Sequence, residues 1–269
     1  MGLAKTQRTS SLLSQLLQAL PEGVAVPSAW LLAHGISPQL VRKYVASGWL
    51  IPLTRGVYAR PVFPVDWQGA ILGLQKLAQC PVHVGGLSAL NLQNLAHYLP
   101  LGGETSIHLW NDTSPARMPS WVAGIQLPQE LVFHGEQLFE PALKSDGLTS
   151  KTTQVRDWTL VLSAPERAIL EVLSLVDETT SSFTHAAELF EGLPALRPAL
   201  VQRLLVGCRS IKVKRLFLFL ATRQDEPWSR KLDETLIDLG SGKRMVMRGG
   251  RLDARYLITV PESLNTRQK

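Results

Sequence analysis

The fold of the N-terminal region is decided by the stretch SPQLVRKYVASGWLIPLTRGVYAR, residues 37–60. Ser37 can cap a helix and Pro38 presets the first helical turn, so we expect a helix that begins there and ends at Gly48. Two apolar segments then flank Thr54-Arg55-Gly56, and this arrangement is typical of two β-strands joined by a tight turn. The stretch therefore predicts a helix followed by a β-hairpin.

Two further helices are predicted before this stretch. Leucines at positions 12, 13, 16, 17 and 20 form one apolar stripe, which predicts a helix that Pro21 ends. A short apolar piece, Val24–Val26, leads to a second helix from Ser28 to His34. Helix, short strand, helix, turn, helix and hairpin is the order of a winged helix-turn-helix. Residues 1–63 are therefore predicted to form a DNA-binding domain of this type.

The third helix separates its residues into two faces by their helical spacing. The inner face is apolar and consists of Leu40, Val41, Tyr44 and Val45. The opposite face consists of Gln39, Arg42, Lys43 and Ala46. Arg42 can pair with guanine edges or phosphate, Gln39 can pair with adenine, and Lys43 suits phosphate as a point charge. The alternative is an ordinary amphipathic helix whose polar face is solvated.

Two observations favour DNA as the partner of this face. No acidic residue occurs from Gly23 to Val65, and the hairpin carries Arg55 at its tip and Arg60 at its end. Clustered cations without acidic neighbours attract phosphate groups. The predicted partner is double-stranded DNA. The candidate DNA contacts are Ser37, Gln39, Arg42, Lys43, Arg55 and Arg60.

Residues 64–269 are predicted to form a larger α+β domain, with a boundary at Pro61 and Pro64. Short strands are expected over residues 105–110, 122–127 and 159–163. Helices are expected over residues 66–79, 86–99, 165–176, 183–190 and 196–208. In the helix 165–176, Glu166 and Glu171 are expected on the solvent side. The predicted fold class is α+β, with a winged helix-turn-helix followed by a larger mixed α/β domain.

Composition limits the class of protein. Hydrophobic residues make up 45% and charged residues 19% of the 269 positions, which is typical of a chain that buries a core. The two cysteines, Cys80 and Cys208, are too few for a disulfide framework and indicate a reducing compartment. Apolar runs stay short of the roughly 18 residues of a membrane span, so neither a signal peptide nor a membrane segment is expected. The expected location is the cytoplasm, in association with the nucleoid.

Catalytic and metal-binding motifs are not evident. The histidines have no metal-ligand spacing to one another, to cysteine or to carboxylates: His34, His83, His97, His108, His134 and His185. The run Leu239–Arg244 is similar to part of a phosphate-binding loop but lacks its first glycine and the Ser or Thr after the lysine. Residues 85–88 could hold phosphate or simply begin a helix. We therefore predict no enzyme activity, metal or cofactor, since a C-terminal enzyme rests only on the incomplete loop match.

Charge is distributed unevenly along the chain. Residues 1–100 carry a net charge of +5, residues 101–200 carry −7, and residues 201–269 carry +8. The C-terminal cations could contact DNA, bind a partner with an acidic face, or be solvated. Prominent among them are Lys212, Lys214, Arg215, Lys243 and Arg244.

Three stretches of the sequence resemble the AbiEi family, antitoxins of bacterial type IV toxin–antitoxin systems that act in abortive infection. The first runs from Pro27–Ser37 through Gly48-Trp49-Leu50 to Arg55-Gly56-Val57-Tyr58. The second is Ser163-x-Pro165-Glu166-Arg167-Ala168. The third joins Cys208–Phe217 to Leu239–Arg244 and is the most distinctive. The resemblance extends over nearly the whole chain.

The resemblance implies a bifunctional protein. Its winged helix would repress its own operon, and its C-terminal domain would counteract a cognate nucleotidyltransferase-like toxin by contact, by modification or by protection of the target. The implied DNA-reading positions are Gln39, Arg42, Lys43 and Arg55. The implied antitoxin surface consists of Lys212, Lys214, Arg215, Lys243 and Arg244.

The alternative function is a winged-helix regulator or a protein-interaction module without antitoxin activity. Winged helices that dock proteins usually lack a basic stripe on the third helix, which favours the DNA-binding interpretation. A neighbouring reading frame for a nucleotidyltransferase-like protein would favour the antitoxin interpretation.

Overall fold

The computed structural model describes residues 12–96, 106–111, 118–153 and 156–262 of the chain. The chain divides into two compact units. The first unit consists of Met1–Val82, Arg117–Val132 and Lys151–Leu160. The second unit consists of His83–Ala116, Phe133–Ser150 and Val161–Lys269.

The first unit begins with the predicted order of helices and strands. The helices are α1 at residues 12–19, α2 at Ser28–Ala33 and α3 at Pro38–Ala46. The strands are β1 at Val26–Pro27, β2 at Ile51–Thr54 and β3 at Val57–Ala59. Strand β3 lies between β1 and β2 and is antiparallel to both. This arrangement is typical of a winged helix-turn-helix, and the part of the predicted first helix before residue 12 lies outside the described residues.

A further helix, α4 at Trp67–Leu72, belongs to the same unit and continues as a π-helix at Gly73–Leu77. Asp66 caps α4, because its Oδ1 accepts a 2.8 Å hydrogen bond from Gly69 N. A Cβ at Gly69 would lie 1.9 Å from the carbonyl oxygen of Gly23, so glycine permits direct contact between the two backbones. The first unit therefore extends past the boundary predicted at residue 63.

A later segment completes the core of this unit. Ile125 and Ala70 lie in one buried cluster with Ala25 and Val57. The strand predicted over residues 122–127 is wrong, since Val122–Gly124 form a 3-10 helix. The apolar residues of this segment contribute to the core without joining a sheet.

A five-stranded mixed sheet has the order β6-β5-β4-β8-β7. Its strands are β4 at His83–Val84, β5 at Ser106–Trp110, β6 at Glu130–His134, β7 at Leu148–Thr152 and β8 at Thr159–Ser163. Strand β4 is antiparallel to β5 and parallel to β8. The predicted strands at β5 and β8 are confirmed, although Thr105 lies outside the described residues, whereas β4, β6 and β7 were not predicted.

The second unit surrounds one central helix. Its helices are α5 at Gly86–Leu92, α6 at Pro165–Leu175, α7 at Thr180–Glu191, α8 at Pro198–Val206 and α9 at Ile211–Gln224. Helix α6 contacts the other four, which explains why its residues are nearly all buried. Near the C-terminus, β9 at Arg251–Leu252 pairs antiparallel with β10 at Thr259–Val260. Helix α5 is shorter than predicted, and positions 97–99 of that prediction lie outside the described residues. The predicted α+β fold class is confirmed.

Candidate nucleic-acid interface and C-terminal basic surface

Helix α3 has the two faces that its sequence predicts. Val41 and Tyr44 are buried, whereas Gln39, Arg42 and Lys43 are exposed. Burial raises the pKa of the Tyr44 hydroxyl, which is therefore neutral at physiological pH. The packed inner face fixes the helix, so the three exposed side chains form one polar row.

The N-terminus of α3 is built as predicted. Ser37 Oγ accepts a 3.3 Å hydrogen bond from Leu40 N, and Pro38 occupies the first helical position. Ser37 thus uses its hydroxyl to cap the helix. Its predicted DNA contact would be made in addition to that structural role.

The cations of α3, Arg42 and Lys43, have no carboxylate partner among the residues that the structure describes. Arg42 and Lys43 form no ion pair within the described part of the chain, and Arg42 Nε makes only a long 3.4 Å hydrogen bond to the Pro38 carbonyl. A cation without an ion-pair partner can bind an anion without first breaking an existing ion pair. Both side chains can therefore contact phosphate or base edges directly.

Arg55 lies exposed in the turn between β2 and β3. The next residue, Gly56, has a φ of 76°, a conformation that favours glycine. The Gly56 carbonyl accepts a 2.7 Å hydrogen bond from Ser28 N at the start of α2. The turn that carries Arg55 is therefore anchored to the helical part of the unit.

Arg60, which the sequence predicts as a DNA contact, makes contacts inside the first unit. Its Nη2 lies 2.8 Å from Glu22 Oε1, and its Nη1 donates to the carbonyls of Leu17 and Leu20 at 3.3 and 3.4 Å. The guanidinium satisfies carbonyl groups at the C-terminal end of α1. Its carboxylate partner, Glu22, directly precedes the interval from Gly23 to Val65 that contains no acidic residue.

Part of the predicted antitoxin surface does not lie on the surface. Lys214 and Arg215 are buried, and Lys212 is half-buried. Lys214 is 4% exposed and Arg215 is 2% exposed. Lys212 is half-buried, and its Nζ donates to the carbonyls of Ser174 and Val176 at 2.8 and 2.9 Å. These carbonyls lie at the end of α6, so Lys212 caps that helix. Burial lowers the pKa of Lys212.

Arg215 binds backbone carbonyls instead of a partner molecule. Its guanidinium donates to the carbonyls of Leu239 at 2.8 Å, Gly242 at 2.6 Å, Gly240 at 3.1 Å and Leu257 at 3.4 Å. These hydrogen bonds compensate for the burial of the charge. Both parts of the C-terminal stretch that resembles AbiEi proteins therefore meet at one buried guanidinium.

Lys243 and Arg244 remain on the surface as predicted. The backbone of Arg244 is fixed, because its N–H donates to the Leu257 carbonyl at 2.8 Å and its carbonyl accepts from Thr259 N at 3.2 Å. The two side chains therefore extend from an ordered backbone.

Comparisons with protein families cover both units. Residues 9–101 match the family described as transcriptional regulator, AbiEi antitoxin N-terminal domain. Residues 104–261 match the family described as transcriptional regulator, AbiEi antitoxin, type IV TA system. The chain belongs to the AbiEi antitoxin family. The resemblance seen in the sequence is confirmed, and the family is described as transcriptional regulators and antitoxins of type IV toxin–antitoxin systems.

The fold of this AbiEi protein is similar to that in the crystal structure of the RV2827C protein from Mycobacterium tuberculosis. The TM-score is 0.57 at 17% sequence identity, over 94% of this chain and 90% of that chain. At this identity the similarity shows the fold alone. None of the curated proteins compared with the chain matches it.

The stretch around Ser163 that resembles AbiEi proteins forms a buried polar cluster, which corrects the solvent position expected for Glu171. Glu171 is fully buried and accepts hydrogen bonds from His83 Nε2 at 2.9 Å, Gly86 N at 2.8 Å, Ser163 Oγ at 2.8 Å and Arg167 Nε at 3.0 Å. Burial acts to raise the pKa of Glu171, but His83, Arg167 and the Gly86 N–H outweigh it, and the pKa is lowered. The carboxylate of Glu171 therefore lies at the start of α5, which is the position where the sequence allowed a bound phosphate.

Glu166 is also buried, against expectation. Arg197 donates to it from Nε and Nη2, each at 2.9 Å, and from its backbone N–H at 2.9 Å. Burial acts to raise the pKa of Glu166, but the hydrogen bonds from Arg197 outweigh it and lower the pKa. The AbiEi stretch around Ser163 thus stabilises the second unit through charged side chains.

Two histidines that are distant in sequence meet across neighbouring strands. His108 Nδ1 and His134 Nε2 are 2.8 Å apart, and His134 stacks on Trp110 with ring centroids 4.2 Å apart. Burial and the proximity of His108 lower the pKa of His134 to about 4, so it is neutral at pH 7. Within the described ranges no group of three or more His, Cys, Asp or Glu residues could hold a metal, and His97 lies outside them.

Among the helices that the structure describes, none is both long enough and apolar enough to cross a bilayer.

Proposed function

We propose that this AbiEi regulator represses its own operon by binding promoter DNA with α3 and the β2–β3 turn. The observation that carries the proposal is the exposed row of Gln39, Arg42 and Lys43 on a helix that has no acidic neighbour in sequence. In this arrangement α3 enters the major groove and the turn lies against the backbone. Such binding would associate the protein with the nucleoid.

The exposed side chains divide between base reading and phosphate contact. Arg42 can make two hydrogen bonds to guanine, and Gln39 can make two to adenine. Lys43 and Arg55 suit phosphate, and they would add affinity without sequence preference. A lost base contact should cost about 1–3 kcal/mol and relax specificity at one position, whereas a lost phosphate contact should weaken all sequences equally.

Footprinting on the region upstream of its own operon tests this proposal. The full chain should protect one site there and bind a shuffled duplex of equal length at least roughly a thousandfold more weakly. Gln39→Ala should reduce that ratio, and Arg55→Ala should leave the ratio unchanged while it weakens both affinities. Equal binding to the upstream and shuffled duplexes would contradict sequence-specific repression.

We further propose that the second unit counteracts a nucleotidyltransferase-like toxin encoded beside this chain. The support is the family description of residues 104–261 as an antitoxin and the exposed pair Lys243 and Arg244 on an ordered backbone. Co-expression with the neighbouring nucleotidyltransferase-like gene should restore growth. Failure of the full chain to restore growth would contradict the antitoxin function.

A winged helix that docks a protein is the second candidate function. It is favoured by two exposed apolar side chains in the first unit, Leu32 at 61% and Trp49 at 44% exposure. If this function is correct, Leu32→Ser with Trp49→Ser should leave any DNA affinity unchanged and abolish a protein contact. If α3 binds DNA, the Arg42→Ala variant should lose DNA affinity instead.

A further inference from the structure

The described part of the second unit contains a half-open cavity of about 140 Å³, called the α6–α7 cavity below. It is bounded by α5, α6 and α7 and by strand β5. Apolar side chains form most of the lining, and the polar lining residues are His108, Ser182 and His185. All of the lining residues belong to the second unit, so the cavity is independent of the helix proposed to bind DNA.

The α6–α7 cavity exists because the facing sides of two helices do not match. Helix α6 contributes three apolar side chains at helical spacing, Val172, Leu175 and Val176. The corresponding row on α7 begins with Ser182, His185 and Ala186, where tightly packed helices would carry large apolar side chains. Small and polar residues on α7 therefore leave space above the apolar row of α6.

The volume of the α6–α7 cavity limits what can occupy it. An apolar cavity of about 150 Å³ binds benzene, so the space here fits a molecule with one six-membered ring. It is too small for a helix or a strand of another protein. Leu175, which lines the cavity, is 42% exposed, so the cavity borders the protein surface and a ligand can enter without unfolding of the unit.

His108 provides the α6–α7 cavity with an adaptable hydrogen-bonding group. Its Nδ1 lies 2.8 Å from His134 Nε2, so one of these two nitrogens carries the proton of their hydrogen bond. When the neutral His134 donates, the neutral His108 has its proton on Nε2 and can donate there. When His108 donates, its Nε2 becomes an acceptor. A hydroxyl group, which both donates and accepts, is compatible with either state of the pair.

We propose that the α6–α7 cavity binds a small single-ring molecule with one hydroxyl group, and that His108 forms the hydrogen bond to that hydroxyl. Ser182 is a weaker choice for this role, because its Oγ already accepts a 3.1 Å hydrogen bond from Asp177 N. Neither lysine nor arginine lines the cavity within the described residues, so a carboxylate or phosphate would be buried there without a permanent cation. Phenol is the simplest probe of the proposed class.

A titration of the methyl-labelled full chain with phenol, followed by NMR, tests the location. Phenol should cause saturable shifts, and its ring protons should show nuclear Overhauser effects to the methyl groups of Leu87, Val172 and Leu189. The proposal is overturned by shifts that stay linear up to about 20 mM, since a ligand of this size is expected to bind in the millimolar range. Overhauser effects only to methyl groups elsewhere would also overturn it.

A comparison of phenol with benzene tests the role of His108. In a wholly apolar cavity phenol binds more weakly than benzene, because its buried hydroxyl has no partner. Here phenol should bind at least as tightly as benzene. His108→Phe keeps a ring at this position and should weaken phenol at least roughly fivefold, while benzene changes less than about twofold. An unchanged affinity for phenol, or an equal loss for both probes, would overturn the role of His108.

Occlusion of the cavity provides a further test. Ala186 is buried and lines the cavity, so Ala186→Leu should fill it and weaken phenol at least roughly tenfold. The matched control is Thr184→Leu at an exposed position of the same helix, which should change the affinity less than about twofold. Equal affinities of the two variants would overturn the proposal. If Ala186→Leu does not fold, the Overhauser effects and His108→Phe still decide it.

Sedimentation of the same variants distinguishes a small molecule from a second copy of the chain. If the wild-type chain is a dimer that Ala186→Leu dissociates, a side chain of the second copy occupies the cavity and the proposal is overturned. An unchanged oligomeric state together with the loss of phenol binding supports the proposal. None of these measurements involves the operator or the toxin, so their outcome is independent of the proposed function.

Discussion

Replacement of Glu171 by glutamine should strongly destabilise the second unit. Glu171 is fully buried and has two oxygens that accept from four different donors, including the buried guanidinium of Arg167. An amide offers one accepting oxygen, and its NH2 group would face donors. The variant therefore leaves Arg167 as a buried cation without its carboxylate, together with at least one unsatisfied N–H or O–H.

The expected cost is about 3–5 kcal/mol, which is the range for the loss of one partner from a buried ion pair. Urea unfolding of the full chain, followed by circular dichroism, measures the loss in the transition of the second unit. The matched control is Glu188→Gln at an exposed position of α7, which should change the free energy of unfolding by less than about 0.5 kcal/mol. A loss below about 1 kcal/mol for Glu171→Gln would refute the reasoning.

The pH dependence provides a second check on the same residue. The pKa of Glu171 is lowered in the folded chain from its ordinary value of 4.5. Its contribution to stability is therefore present above pH 4.5 and is lost as the pH falls through the lower folded value. The difference between wild type and Glu171→Gln should be constant from pH 6 to pH 8 and should shrink below about pH 4.5.

Three further predictions follow from other parts of the structure. The pKa of His134 is lowered from its ordinary value of 6.5 to about 4 in the folded chain, so the free energy of unfolding should fall as the pH drops from 6.5 to 4. His134→Phe should flatten the dependence of Tm on pH in that range. Gly69→Ala should cost about 2 kcal/mol or more in the first unit by denaturation, because the new Cβ meets the Gly23 carbonyl; a neutral result would contradict this packing. A fragment of residues 1–63 lacks Ala70 and should appear unfolded by circular dichroism, whereas a cooperative thermal transition would restore the boundary at Pro61–Pro64.

Helix α3 could be predicted from the sequence because its determinants are local. Ser37 and Pro38 act within one turn, and the division of faces follows from helical spacing alone. The turn at Arg55 is equally local, since Gly56 supplies its positive φ. The exposure of the candidate DNA contacts on α3 could therefore be predicted from the sequence.

The internal contacts of the predicted surface cations involve partners that are far away in the sequence. Arg60 pairs with Glu22, and Arg215 binds carbonyls 24 to 42 positions away. Charge patterning cannot distinguish a solvated cation from one that binds backbone carbonyls after the chain folds. One signal was present for Arg215, since it directly precedes the apolar segment 216–221.

The buried carboxylates were missed for a related reason. Glu166 and Glu171 fall at spacings that are usual for a solvent face, but α6 is surrounded by four other helices. Arg197, His83 and Arg167 neutralise them only in the folded chain. Periodicity identifies an amphipathic helix but cannot detect that a second layer covers its polar side.

The salt dependence of operator binding tests the central claim most directly. The full chain and the variant Arg42→Ala with Lys43→Ala are titrated onto the same upstream duplex at several salt concentrations. Each lost phosphate contact should lower the slope of log affinity against log salt by about 1, and the loss of a base contact by Arg42 should cost a further 1–3 kcal/mol. The control, Lys144→Ala with Lys231→Ala, should keep the wild-type slope. An affinity and a slope unchanged in the α3 variant would contradict DNA binding through this helix.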